Sequence, residues 1–201
     1  MSNQNVDTTE EPRRRRAGWV ILPIALLASS AVVWKASYAA FSATTSNGVN
    51  NWKAGQVTLT DDDLGSAMFN ANNLKPGSTG TKCIVVTSNS TLAGNVKLYG
   101  TGFGTTNGLA SSLDLVIDEG TGGTFNNCLG FVPTVNDFTG TMAGFSATHT
   151  NFASGAGAFA VAGTPPESKT YRVTWTLNAA APSSVQNGTA NGTFTWEIQN
   201  T

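Results

Sequence analysis

His149 is the only histidine in the 201-residue chain. A histidine-based metal centre or a Ser-His-Asp triad would have to rest on that one imidazole, and no Gly-x-Ser-x-Gly elbow accompanies it. Met142, Phe145 and Phe152 stand near it at helical spacing, so the sequence places His149 beside an apolar face as a packing or surface residue. Asp61, Asp62 and Asp63 could offer oxygens to calcium. They lack the Asp-x-Asp-x-Asp-Gly spacing and later Glu of a calcium loop, and a solvated hairpin tip is the expectation. Asp114, Asp118, Glu119, Asp137 and Glu167 contain enough carboxylates for an acid-base pair acting on sugars, but their spacing selects no pair. Cys83 and Cys128 permit one disulfide or two buried thiols; with one distant histidine they fall short of four zinc ligands. Trp52, Trp175 and Trp196 could stack on sugars, yet the last two lie on the apolar phase of their segments and are expected in a core. No catalytic residue, metal or cofactor is assigned on these grounds.

Charge is scarce and unevenly placed. Charged residues are 11% of the chain and the formal net charge is −1, which excludes a basic nucleic-acid-binding surface. Arg13 to Arg16 close a polar start and precede an uncharged 18-residue run, Ala17 to Trp34, after which come Lys35 and the small residues Ala36 to Ala40. A basic n-region, an apolar h-region and a small-x-small site predict a signal peptide over 1–39, forming a hydrophobic helix and cut between Ala39 and Ala40. The alternative is an uncleaved anchor, because 18 residues reach roughly 27 Å along a helix. Membrane contact would then run through residues 17–34 alone. A twin-arginine reading lacks the expected Phe-Leu after the pair. In both main readings residues 40–201 are exported, with six cations, nine acids and a net charge of −3.

The elements that must carry these residues are short and alternating. Gln56–Thr60, Ala67–Asn70, Thr81–Thr87, Asn95–Tyr99, Ser112–Asp118 and Cys128–Val132 are predicted strand or apolar segments bounded by Gly, Asn, Asp and Ser. Lys169–Leu177 places Tyr171, Val173, Trp175 and Leu177 on one face, and Gly192–Ile198 does the same with Phe194, Trp196 and Ile198. Eight or nine such strands require an all-β sandwich or barrel to bury their apolar faces. Phe138, Phe145, Phe152 and Phe159 recur every seven residues, a spacing that a continuous strand would split between two faces. A short helix over 141–152, capped by Thr139 or Thr141 and stopped by Gly155, is predicted there.

Three stretches resemble the TasA/camelysin family of exported bacterial proteins. These are Tyr38-Ala39-Ala40-Phe41-Ser42, Trp52 to Leu59, and the turn Asn73-Leu74-Lys75-Pro76-Gly77 leading to Thr81-Lys82. The resemblance covers roughly 36–100 and returns at Phe194-Thr195-Trp196-Glu197. It implies a jelly-roll fold, cleavage at Ala39-Ala40 by a SipW-type signal peptidase, and a turn at 73–77 that opens a strand. It also implies self-association into matrix or surface fibres by strand sharing. Residues 40–49 are uncharged and free of Pro, as a donor strand requires, and Phe41 could anchor it; they could equally form an edge strand of their own domain. A monomeric adhesin or carbohydrate-binding module is the alternative. The peptidase label carried by camelysin-like members finds no His-Glu-x-x-His here.

Overall fold

Alternating apolar residues build two antiparallel sheets that bury their inner faces against each other. The computed structural model describes residues 42–44 and 56–201. Within them, one sheet contains β1 (Ser42–Thr44), β4 (Gly94–Thr105), β7 (Ala156–Val161) and β9 (Ala190–Asn200), in the order β1-β9-β4-β7. The other contains β2 (Leu59–Asp61), β3 (Thr79–Ser88), β5 (Leu113–Thr121), β6 (Val132–Thr141) and β8 (Glu167–Leu177), in the order β2-β3-β8-β5-β6. The all-β sandwich expected from the sequence is present, with one short α-helix, α1 (Met142–Thr148). The expected signal helix, the cleavage point Ala39-Ala40, the span at 17–34, Phe41 and Trp52 lie outside the described residues.

The core follows the predicted phases. Ile84 and Val86 of β3, Leu115 and Ile117 of β5, and Tyr171 and Val173 of β8 meet Val96 and Leu98 of β4, Phe159 of β7, and Trp196 and Ile198 of β9. Tyr171 and Trp196 touch across the interior with ring centroids 5.4 Å apart. Trp175 also packs against this core, so neither Trp175 nor Trp196 forms an exposed stacking platform.

Several boundaries differ from the sequence reading. The first predicted strand shrinks to Leu59–Asp61; Gln56 and Thr58 instead accept hydrogen bonds from the backbone N–H groups of Thr91 and Asn89. Ala67–Asn70 is not a strand, although Met68 and Phe69 pack on the core. Helix α1 starts as predicted, with the Thr141 side chain accepting from Gly144 N–H, but ends at Thr148 rather than near Phe152. The His149 N–H closes that helix on the Phe145 carbonyl, and His149 Nδ1 lies 2.6 Å from the Ser154 carbonyl of the following turn. Strands β6 and β7 were not anticipated. Phe138 and Phe159, two members of the sevenfold phenylalanine series, belong to them.

Cys83 and Cys128 form the disulfide that the sequence allowed. It holds down the connection between β5 and β6, which runs from β5 across β8 and reaches the outer edge of β3. On the way Phe131 lies under the Arg172 guanidinium, 4.7 Å from ring centroid to Cζ. At β3 the Asn126 N–H donates to the Cys83 carbonyl. The bond closes a loop with a sequence separation of 45 residues, for which the chain-entropy model gives about 4 kcal/mol. Replacing both cysteines by Ser should lower unfolding free energy by about 2–5 kcal/mol in a denaturant titration. Amide exchange should also accelerate at Asn126, whose N–H the connection seats on β3. Unchanged exchange there would show that the connection stays seated without the bond.

Candidate functional site

The turn Asn73-Leu74-Lys75-Pro76-Gly77 leads into β3. Gly77 has φ +84, which suits glycine after Pro76, and its N–H donates to the Leu177 carbonyl at 2.8 Å. Ser78 N–H donates to the Lys75 carbonyl, and Leu74 packs with Leu109, Leu113 and Leu177 in a small satellite core. These contacts give the motif a structural task, tying the entry of β3 to the end of β8.

His149 is likewise packed. Its ring stands 5.4 Å from Phe138 and 5.0 Å from Phe145, centroid to centroid. Among the described residues no group of three His, Cys, Asp or Glu side chains is arranged to hold a metal ion. The acidic run at 61–63 is not a solvated tip. Asp62 accepts from Val85 N–H through Oδ1 at 2.8 Å and from Phe125 N–H through Oδ2 at 2.7 Å, joining the outer edge of β3 to the β5–β6 connection. Asp61 is pushed up to about 6, first by burial and then by the hydrogen bond and charge of Asp63.

The five scattered carboxylates separate into distinct surroundings. Asp114 accepts from the Asn178 side chain. Glu167 accepts from the backbone N–H groups of Ala162, Gly163 and Thr164, which hold its carboxyl below the usual range. Asp118, Glu119 and Asp137 come together where β6 borders β5. Asp118 pairs with Arg172 at 2.7 Å and Glu119 with Lys169 at 3.0 Å, so both carboxylates are committed to cations of β8. Burial, and then the charges of Glu119 and Asp137, push the Tyr171 hydroxyl well above the ordinary phenol range.

Asp137 differs from both. The register passes from Ile117↔Phe138 to Asp118↔Asn136, which leaves Asp137 as the extra residue of a β-bulge. Both of its carboxyl oxygens are shielded from solvent and have no hydrogen-bond partner. Burial, then the charges of Glu119 and Asp118, push it up to about 7, with Lys169 opposing. Nothing in the residue pattern signals this placement, because the bulge that turns Asp137 inward depends on the β5–β6 register.

The second candidate region is the β1–β9 edge. Ser42, Ala43 and Thr44 face Gln199, Ile198 and Glu197 in antiparallel register. The opposite side of β9 is paired with β4 from Asn200 down to Ala190. Among the described residues, no strand lies on the β1 side of Ala190–Trp196. Among the described residues, β1 thus covers only the Glu197–Gln199 end of this edge, and an extended segment could pair along Ala190–Trp196.

No protein-family model matches the chain, and no curated protein matches it. Geometry therefore carries the functional argument. Asp62 is the most exacting polar contact at the β3 edge, since one carboxylate satisfies two backbone donors there. Asp62→Ala should lose about 2–4 kcal/mol of stability by leaving both donors unpaired, and Asp62→Asn, with one acceptor oxygen, should fall between it and the unaltered chain. Urea unfolding of the two variants checks the ranking.

Proposed function

We propose that this protein is an exported or cell-surface structural subunit that assembles into matrix or surface fibres by strand sharing. The mature N-terminal segment, residues 40–49, is the donor, and the β9 edge of the next copy is the acceptor. The observation that carries this reading is the pairing of Ser42–Thr44 with Glu197–Gln199 at one end of eleven-residue β9, with no other described strand on that side of it. Residues 42–44 can pair in β conformation with that edge, and Ala190–Trp196 offers further length for a donor strand.

Three features support the setting. The strand orders β1-β9-β4-β7 and β3-β8-β5-β6 are those of two interleaved Greek keys, which favours a jelly roll with β2 added beside β3. The Cys83–Cys128 bond suits an oxidising compartment outside the cytoplasm. The basic and apolar segments before Ala40 suit export, and cutting between Ala39 and Ala40 by a SipW-type signal peptidase would free the donor's first residue. If the span at 17–34 stayed uncut, the same segment would tether the subunit to the membrane. The TasA/camelysin resemblance agrees with this assignment, and the packed His149 offers no support to a peptidase.

Electron microscopy of the mature chain, of a form lacking residues 40–49, and of the mature chain with excess synthetic 40–49 peptide tests the proposal. Filaments should form from the mature chain, disappear on truncation and be suppressed by the peptide. Absence of filaments from the mature chain at every pH and concentration tried, or filaments from the truncated form, would overturn it.

A further inference from the structure

We propose that Asp137 is a proton-controlled latch between the two sheets: neutral, it keeps the β6 bulge packed on β7, and on losing its proton it withdraws and frees that rim of the sandwich. This inference is independent of the fibre reading.

Strands β6 and β7 are edge strands of opposite sheets that meet along one side of the molecule. Asp137 bridges them. A methyl group placed on Gly157 of β7 would fall 2.8 Å from Asp137 Cγ, so the carboxyl rests directly on bare β7 backbone. Gly157 also has φ +70, a conformation that favours glycine, so both backbone shape and contact call for the missing side chain.

The surroundings favour the neutral carboxyl, with Lys169 opposing. From β5, Asp118 and Glu119 present negative charge, and each already has its own cation. From β8, Lys169 is the opposing charge but donates to Glu119, Arg172 donates to Asp118, and Tyr171, opposite Glu119 in the strand register, is held neutral by burial. Strand β7 contributes Ala, Gly, Phe and Val and no titratable group. Helix α1 contributes none, and His149 beyond it packs on Phe138 and Phe145 with Nδ1 at the Ser154 carbonyl. An ionised carboxylate here would have neither water nor a donor, beside two further carboxylates.

The bulge supplies the means of movement. Asn136 donates from Nδ2 to the Ile117 carbonyl, Asp118 Oδ1 and the Phe138 carbonyl, which pins the residue before Asp137. Asp137 itself is outside the regular β5–β6 register, so its side chain can leave without shifting the strands on either side. The sign of the pH effect follows from a folded-state value above the unfolded one. The contribution of Asp137 to stability is complete below about pH 4, declines as the unfolded carboxyl ionises, and is lost as pH rises through about 7.

Carbon-detected NMR of the carboxyl groups in the full-length chain, together with amide spectra from pH 4 to 9, tests the latch. The Asp137 carboxyl should titrate near neutrality, and the amides of Asn136 to Phe138 and of Gly157 should shift with the same midpoint. In Asp137→Asn those amides should be flat across the range. Three results would overturn the proposal: titration of Asp137 in the ordinary carboxyl range, neutral titration with no response at Gly157, or the same amide response in Asp137→Asn. Should Asp137→Asn fail to fold, the titration of the unaltered chain decides by the first two criteria.

Discussion

A sandwich of open sheets must keep its outermost strands from pairing indiscriminately, and this chain must do so almost without charge. Lysine on the edge is a common device for that purpose, but residues 40–201 carry only six cations. Backbone covering takes its place at β3. The β5–β6 connection is bonded there through Cys128 and through Asn126 N–H, while Asp62 takes the Val85 N–H of β3 and the Phe125 N–H of the connection. A covalent bond and a two-donor carboxylate thus close most of an edge that three-residue β2 pairs only at Val86–Ser88.

The same scarcity explains where the few charges sit. The outer face of the larger sheet is lined by hydroxyl pairs, Thr79 with Thr176, Thr81 with Thr174 and Thr87 with Ser168, each at 2.8–3.0 Å. Such pairs satisfy polar groups across adjacent strands without net charge. Arg172, Lys169, Asp118 and Glu119 are instead spent on fixing β5 to β8, and Arg172 also holds Phe131 of the covering connection. Charge in this molecule serves local structure more than surface repulsion.

The alternation in 169–177 and 192–198 made β8 and β9 legible, because every second residue there is large and apolar. The disulfide was legible as a possibility, since two cysteines allow one pairing. Strand β6 was not. Its sequence, VPTVNDFTGT, has two bulges against β5, and these break the period of two on which strand reading relies. Strand β7 failed for another reason: AGAFAV is mostly small residues, half of them Ala, and only its placement beside β4 makes a strand of it. The same irregularity hid Asp137, whose inward direction is set by a register shift rather than by position parity. Asp62 was misread because a run of three acids at a turn resembles a solvated tip until its two backbone donors, 23 and 63 residues away, are brought to it.

The four outer edges are therefore unequal. At β3 the covering connection, Asp62 and β2 stand in the way. Strand β6 has Pro133, which lacks an N–H, and two bulges that disturb its pairing geometry. Strand β7 is six residues long and its register against β4 is interrupted between Val96 and Leu98. Strand β9 has neither Pro nor a bulge opposite Phe194–Ile198, and along Ala190–Trp196 no described strand covers its outer side. An extended segment seeking continuous antiparallel register would meet obstacles at three edges and, at the fourth, an unbroken register over Phe194–Ile198. That difference, more than any side-chain chemistry, is what favours β9 as the acceptor edge for the donor strand we propose, in the register that residues 42–44 show through Ser42↔Gln199.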